Sequence, residues 1–328
     1  MPRKHGRMTT VTSRPDGNWT RTERLLGHVQ HPETYREVLL TSAGAPIALS
    51  VWEPDTPRAT VVFVPGTAAH PLFYEEFLDR LVQSGLAVVG VHPQAHGKSP
   101  RVRRVLRFAD LVTNAVDAAR WASRELGRPV VLCGSSQGGL IAPLAATAGA
   151  PVVGVVAHNI FDPQDPSAAA VTRFRGARRL HRPVQAAMSG AARLVPRLPV
   201  PVTAYLDLGR VFGAGWTREL FELDPLGRRS YPLQFLADLM TVDTRPLYDG
   251  SLRVPVTVLA TRGDPLFALV DLEAVACRLV APQVDLVVLE ADCHLVLNEA
   301  LDLAVPAVVA AVDGFLADAP RAASRTGA

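Results

Sequence analysis

An α/β fold, a mostly parallel, doubly wound sheet with an all-helical cap inserted after its sixth strand, is the architecture this sequence predicts. Three observations carry the expectation. Short valine-rich apolar runs alternate with helix-length segments, the pattern that builds a parallel sheet covered on both faces. Between Asp162 and about Pro246 the alternation stops and resumes afterwards. Finally, Gly134-Ser-Ser-Gln-Gly138 lies where one such strand would turn into a helix, and it has the G-x-S-x-G spacing of a nucleophile elbow.

Residues 1–25 are polar, charged and without period, and read as a disordered or loosely held tail. Tyr35–Thr41 and Ala45–Trp52 read as a hairpin turning at Ser42-Ala-Gly-Ala45. The run Ala59–Val64 is a buried strand that ends in the loop Pro65-Gly-Thr-Ala-Ala69, and a helix from about Leu72 to Ser84 follows. Leu86–Val91 is the next strand and Leu106–Leu126 a long helix. Pro129–Cys133 is apolar enough to be buried on both faces. Gly139–Ala148 is an apolar, central helix, and Pro151–Ile160 the sixth strand. Residues 162–246 carry twelve arginines and eight breaks at Pro163, Pro166, Pro183, Pro196, Pro199, Pro201, Pro225 and Pro232. They read as short helices with no strand among them, the layout of a cap over an active site. The core, 26–161 and 247–320, then closes with a strand at Val254–Ala260, a helix at Leu269–Leu279, a strand at Val284–Leu289 and a helix from Leu301 to Leu316, before a flexible tail over 321–328.

The totals exclude several classes. With 328 residues, 48% hydrophobic and 20% charged, the composition is that of an ordinary globular chain. A net charge of +3 without a basic stripe does not argue for nucleic acid. Cys133, Cys277 and Cys293 are too few and too scattered for a disulfide framework or a zinc site, and no apolar signal core follows the basic N-terminus, so a cytoplasmic protein is expected. Residues 139–157 are uncharged over a membrane-spanning length, but the Gly149-Ala-Pro151 break divides them into helix, turn and strand, so no stable membrane insertion is expected.

The glycine frame selects Ser136 and not Ser135, whose neighbours two away are Cys133 and Gln137. A serine hydroxyl needs a base and the base an orienting acid. After an elbow on a parallel sheet these follow in the order acid, then histidine. Asp264 lies in Gly263-Asp-Pro265 past one strand and His294 in Asp292-Cys-His294 past the next, both at carboxyl ends on the edge where Ser136 stands. Asp162 is the second choice of acid; Asp292 is too near His294 in sequence. Two N–H groups must meet the developing oxyanion. Gln137, first residue of the elbow helix, and Thr67, in the loop after the third strand, are the candidates. Phe212, Trp216 and Phe235 are candidate substrate contacts, with Phe221 and Tyr231 beside them, though all five could instead form the cap's own core. His92 and His96 are four apart, but Pro93 breaks the helix that would align them for a metal.

The elbow, the Gly263-Asp-Pro265 turn, Cys293-His294 and His92-Pro-Gln-Ala-His-Gly-Lys-Ser99 together carry a resemblance. The chain resembles α/β-hydrolases of the lysophospholipase and monoglyceride-lipase-like group, which includes serine aminopeptidase-like and proline-iminopeptidase-type relatives. The last segment is similar to that group's D-x-R-G-H-G-x-S loop at His96, Gly97 and Ser99, with His92, Gln94 and Ala95 departing from it. Pro65 stands where the group has histidine. The likeness covers about residues 35 to 318 and implies a capped serine hydrolase, without metal or organic cofactor, whose partner is a small-molecule ester or acyl substrate of moderately apolar character. The same residues would equally serve acyl transfer, or thioester, amide or C–C cleavage. A ligand-binding protein on this fold is the alternative of another class, and the arginine-rich segment 173–182 could face an anionic surface.

Overall fold

The computed structural model describes residues 7–8, 29–173 and 175–318. The chain enters through β1 (Arg7–Met8), β2 (Tyr35–Ser42) and β3 (Ala45–Trp52). The last two form the expected hairpin, in register from Tyr35 opposite Trp52 to Ser42 opposite Ala45. Of the tail expected to be disordered, only Arg7 and Met8 lie within the described residues, and they correct that expectation by pairing with β2, Arg7 opposite Val38. The tail 321–328 lies outside the described residues.

Then follow β4 (Thr60–Val64), α1 (Glu75–Gln83), β5 (Ala87–His92), α2 (Phe108–Leu126), β6 (Val130–Ser135), α3 (Gln137–Thr147) and β7 (Gly154–His158). Every residue of β4 to β7 is buried. That is why these strands read as unbroken valine-rich runs rather than alternating ones. In the segment after β7 come α4 (His181–Leu194), β8 (Pro199–Pro201), α5 (Val202–Tyr205), α6 (Leu208–Val211), α7 (Gly215–Leu223), β9 (Ser230–Pro232) and α8 (Leu233–Met240). The chain ends with β10 (Val256–Thr261), α9 (Leu269–Arg278), β11 (Val284–Leu289), α10 (Val296–Glu299) and α11 (Leu301–Asp318).

One nine-stranded sheet results, in the order β1-β2-β3-β5-β4-β6-β7-β10-β11. It is parallel from β5 to β11 and antiparallel at the β1–β3 end. The segment expected to be an all-helical cap is not all-helical. β8 and β9 pair antiparallel in a separate ribbon, Val200 opposite Tyr231. Prolines at three of its six positions hid it from a sequence reading. In a two-stranded ribbon both strands are edges, so a missing N–H is tolerated where it would point away from the partner. The ribbon is closed by flanking bonds, Val202 N–H to Arg229 O at 2.9 Å and Leu233 N–H to Leu198 O at 2.8 Å.

The cap is joined to the core by aromatic packing and charge. Phe235 meets Phe108 of α2 edge-on at 6.0 Å and stacks on Tyr231 at 4.3 Å, arrangements each worth about 0.5–1.5 kcal/mol beyond area burial. Arg107 Nη2 donates to Asp238 Oδ1 at 3.0 Å beside them. Among the described residues no helix is long and apolar enough to cross a membrane.

Candidate active site

Ser136 stands one residue past β6 with φ 53° and ψ −112°, a conformation costly for any residue but glycine. Its surroundings fix it there. A Cβ at Gly134 would lie 1.9 Å from Gly138 O, and one at Gly138 would lie 2.1 Å from Val64 O, so the frame of the elbow must be glycine for the turn to close. Ser136 N–H is held by His158 O at 2.9 Å, which fastens the turn to the end of β7.

Asp264 lies three residues past β10 and His294 five past β11. The structure brings them together: His294 Nδ1 donates to Asp264 Oδ2 at 3.0 Å, and both are buried. The other carboxylate oxygen accepts the N–H groups of Leu266 at 2.7 Å and Phe267 at 3.0 Å. Burial alone would raise the Asp264 pKa; the adjoining His294 and these hydrogen bonds outweigh it and hold the carboxyl below its usual value. With Nδ1 bound to a carboxylate, the Nε2 lone pair is the free nitrogen. The His294 ring stacks on Phe267 at 5.5 Å and meets the His158 ring, tilted by 35°, at 6.0 Å, which together set its plane. Ser136 and His294 line one cavity, with no hydrogen bond joining them at 3.5 Å or less. Contacts of this kind commonly tighten only when substrate binds.

A residue that sequence reading missed completes this arrangement. Asn159, directly after β7, donates from Nδ2 to Asp264 Oδ2 at 2.7 Å and lies 3.3 Å from His294 Nδ1. Its φ is 58°, a left-handed conformation in which asparagine is several-fold enriched. An asparagine at the end of a predicted strand was the only available signal. Asp162, the second choice of acid, is elsewhere: it accepts from Thr244 Oγ1 and Tyr248 Oη, both at 3.0 Å, and serves the base of the cap.

Gln137 opens α3, so its N–H has no partner within the helix. In the loop after β4, Gly66 N–H is taken by Tyr74 Oη at 3.3 Å and Ala68 N–H by Tyr231 Oη at 2.8 Å. Thr67, between them, and Gln137 both line the cavity. His92 is spent on structure, accepting Lys98 N–H at Nδ1 and meeting Ser50 Oγ at 2.9 Å through Nε2.

The cavity above Ser136 has a volume of about 400 Å³. No Asp, Glu, Lys or Arg among the described residues lines it. Phe212 is in its wall, as is Phe221. Phe235 and Trp216 are not, which corrects two of the three expected substrate contacts. On α8 it is Leu236, Leu239 and Met240 that face the cavity, and Phe235 turns to the joint with α2. Trp216 lies over Leu72, Leu220 and Leu297 on the far side of α7. Aromatic residues in the cap were thus legible as buried, but which side each faces depends on helix phases that short, proline-broken segments do not reveal. Phe161 and Phe267, at the strand edge, are wall residues not anticipated.

A parallel sheet with its antiparallel end, an elbow serine, and an acid and histidine past the last two strands define an α/β-hydrolase. A family model described as serine aminopeptidase, S33, matches residues 55–300, and the chain belongs to that family. Its likeness to solved structures is one of fold. A monoacylglycerol lipase from Paleococcus ferrophilus is 20% identical with TM-score 0.64, over 82% of this chain and 99% of the other. A carboxyl esterase from Bacillus coagulans, in complex with glycerol, is 16% identical with TM-score 0.67, over 86% and 99%. A soluble variant of the Saccharomyces cerevisiae monoglyceride lipase, in complex with a substrate analogue, is 15% identical with TM-score 0.64, over 85% and 93%. No curated protein matches the chain by sequence.

Proposed function

We propose that this chain hydrolyses an uncharged carboxylic ester with an apolar acyl group through an acyl-enzyme. The observation that carries this reading is that Ser136 and His294, the latter oriented by Asp264, open into a cavity of about 400 Å³ whose wall is mostly apolar and, among the described residues, holds no Asp, Glu, Lys or Arg. Ser136 Oγ attacks the ester carbonyl as His294 Nε2 takes its proton; the same nitrogen returns that proton to the departing alcohol. Water, activated by His294, then cleaves the acyl-serine. Gln137 and Thr67 offer their N–H groups to the oxyanion, an interaction in which one donor is typically worth about 3–4 kcal/mol of barrier. With no Lys or Arg among the described wall residues, a carboxylate or phosphate on the substrate would be desolvated without a strong partner, which disfavours charged esters. The lipase and esterase names of the fold's neighbours accord with this reading.

Intact mass after treatment with a fluorophosphonate tests the site. A single adduct is expected on the wild type, none on Ser136→Ala, and much slower labelling of His294→Ala. A neutral p-nitrophenyl ester series should then be cleaved with preference for medium or long acyl chains over acetate. An unlabelled, folded wild type, or Ser136→Ala hydrolysing at the wild-type rate, would overturn the proposal.

A further inference from the structure

We propose that Tyr231, a cap residue, together with His96, is a positioning device for the oxyanion loop, so that the cap helps set the chemistry as well as covering it. The inference rests on the hydrolase reading above and adds residues to it. Tyr231 Oη accepts Ala68 N–H at 2.8 Å and lies 2.7 Å from His96 Nε2. With one further contact, they fix every proton. His96 Nδ1 lies 2.9 Å from Gln94 O, which can only accept, so Nδ1 carries the hydrogen and Nε2 is a bare lone pair. Tyr231 must therefore donate its hydroxyl hydrogen to His96 and receive Ala68 N–H on its oxygen. His96 is buried, and burial lowers its pKa to about 3, so the arrangement persists across the working pH range.

Ala68 needs such a hold. Its φ is 65°, a left-handed conformation for a residue with a Cβ, and it directly follows Thr67. The cap grips it from both sides, since Arg228 N–H donates to Ala68 O at 2.9 Å while Tyr231 holds its N–H. The Arg228 guanidinium reaches the second loop, donating to the carbonyl of Ala95, whose φ is 60°. Two residues past Ala68, His70 Nε2 meets Asp224 Oδ2 of the cap at 2.7 Å, both wholly buried. On the other side of Thr67, Tyr74 Oη takes Gly66 N–H. Two phenol oxygens thus occupy the amides flanking Thr67 and leave its own N–H for a ligand in the cavity. Removing the Tyr231 hydroxyl frees Ala68 N–H and the ψ of Thr67 with it, and an ångström of drift at an oxyanion donor costs up to about a hundredfold in rate.

The test is Tyr231→Phe, which keeps the ring stacked on Phe235 and removes one oxygen. On a neutral p-nitrophenyl ester, kcat should fall about 10- to 100-fold with KM within about twofold. Affinity for a trifluoromethyl ketone bearing the same acyl chain, whose hemiketal oxyanion must sit between the donors, should fall by the same factor. Affinity for the corresponding alcohol should not change. A second pair covers the case in which Tyr231→Phe misfolds: His96→Leu should lower kcat, and His96→Gln, whose side-chain carbonyl can still accept from Tyr231, should recover most of it. A Tyr231→Phe enzyme with wild-type kcat, a loss confined to KM, or no difference between the His96 variants would refute the positioning role while fluorophosphonate labelling of Ser136 left the hydrolase reading standing. Failure of the wild type to label would sink both.

Discussion

Lowering the pH from 7.5 to 5.5 should destabilise the fold by a few kcal/mol, because three histidines are kept neutral inside it. His92, His96 and His158 are 0%, 3% and 0% exposed. Burial is the chief cause in each case, bringing His96 and His158 down to about 3 and His92 well below its ordinary value. In the unfolded chain each would titrate near 6.5. A base with a depressed folded pKa binds more protons unfolded than folded at any pH between the two values, so stability is lost as the pH falls through 6.5 and the loss continues toward 3. At pH 5.5 His96 and His158 each cost roughly 1 kcal/mol, His92 adds in the same direction, and at pH 7.5 the cost is close to nothing. For the two histidines brought down to about 3, pH 5.5 lies well above the folded value, so their cost depends only on the unfolded one. His31 acts in the opposite sense, its pKa raised chiefly by the hydrogen bond it donates to Asp79, but its side chain is 43% exposed and the offset is small. Asp264, lowered, contributes its stability above the unfolded value near 3.9 and does not titrate in this window. Thermal melts at constant ionic strength should show a melting temperature lower by on the order of 5–10 °C at pH 5.5. A shift below about 2 °C would mean that the three histidines are not held neutral by burial.

Asn159→Ala should lower kcat about tenfold or more with KM little changed, since it removes the donor at 2.7 Å that fixes the Asp264 oxygen to which His294 is bonded; steady-state kinetics on a p-nitrophenyl ester measure it, and an unchanged kcat would make the contact structural only. Phe212→Ala should move the acyl-chain optimum toward longer or bulkier esters, because it enlarges the cavity wall. Phe235→Ala should instead cost about 3–5 kcal/mol of stability and leave the chain-length profile where it was. Reversal of those two outcomes in a substrate panel and a urea melt would refute the assignment of wall and joint.

Of the core, nearly all was legible. β4, β6 and β10 are valine-rich runs without alternation because both faces are buried, and the helices between them end within a few residues of where periodicity placed them. Ser136, Asp264 and His294 were legible as candidates because each is a type of residue at a fixed place, the carboxyl end of a strand. The cap was legible in outline only. Its ribbon is built from Pro-Val-Pro and Ser-Tyr-Pro, which carry no strand signal, and its helices α5 and α6 are four residues long, too short for a period to show a face. Asn159 and Tyr74 were missed, and Tyr231 was read only as a pocket or cap-core residue, for a different reason. Their contributions come from contacts at separations of 105, 8 and 163 residues, which the local sequence does not reveal.

The backbone itself suggests why the cap and the edge of the sheet belong together. Among the described residues five non-glycine positions have positive φ, and apart from Ala43 in the hairpin turn they are Ala68, Ala95, Ser136 and Asn159. These four follow β4, β5, β6 and β7, strands that are neighbours in the sheet. Each such conformation costs on the order of 1–3 kcal/mol and persists only where its surroundings leave no alternative. For Ser136 the alternative is removed by the glycine frame and by the bond to His158 O; for Asn159 by the carboxylate it serves. Ala68 and Ala95 each sit in a turn closed by one core hydrogen bond, Ala69 N–H to Gly66 O at 3.2 Å and His96 N–H to Pro93 O at 2.8 Å, and the cap adds a second hold. Their carbonyls are held by Arg228, and Ala68 N–H by Tyr231, both from the ribbon end of the cap. An isolated core would therefore retain the elbow, the Asp264–His294 pair and the Tyr74 bond to Gly66, yet lose the cap's hold on the loop that carries Thr67. Opening the cavity by deleting the cap should for that reason lower kcat about 10- to 100-fold even for small, water-soluble esters that need no lid.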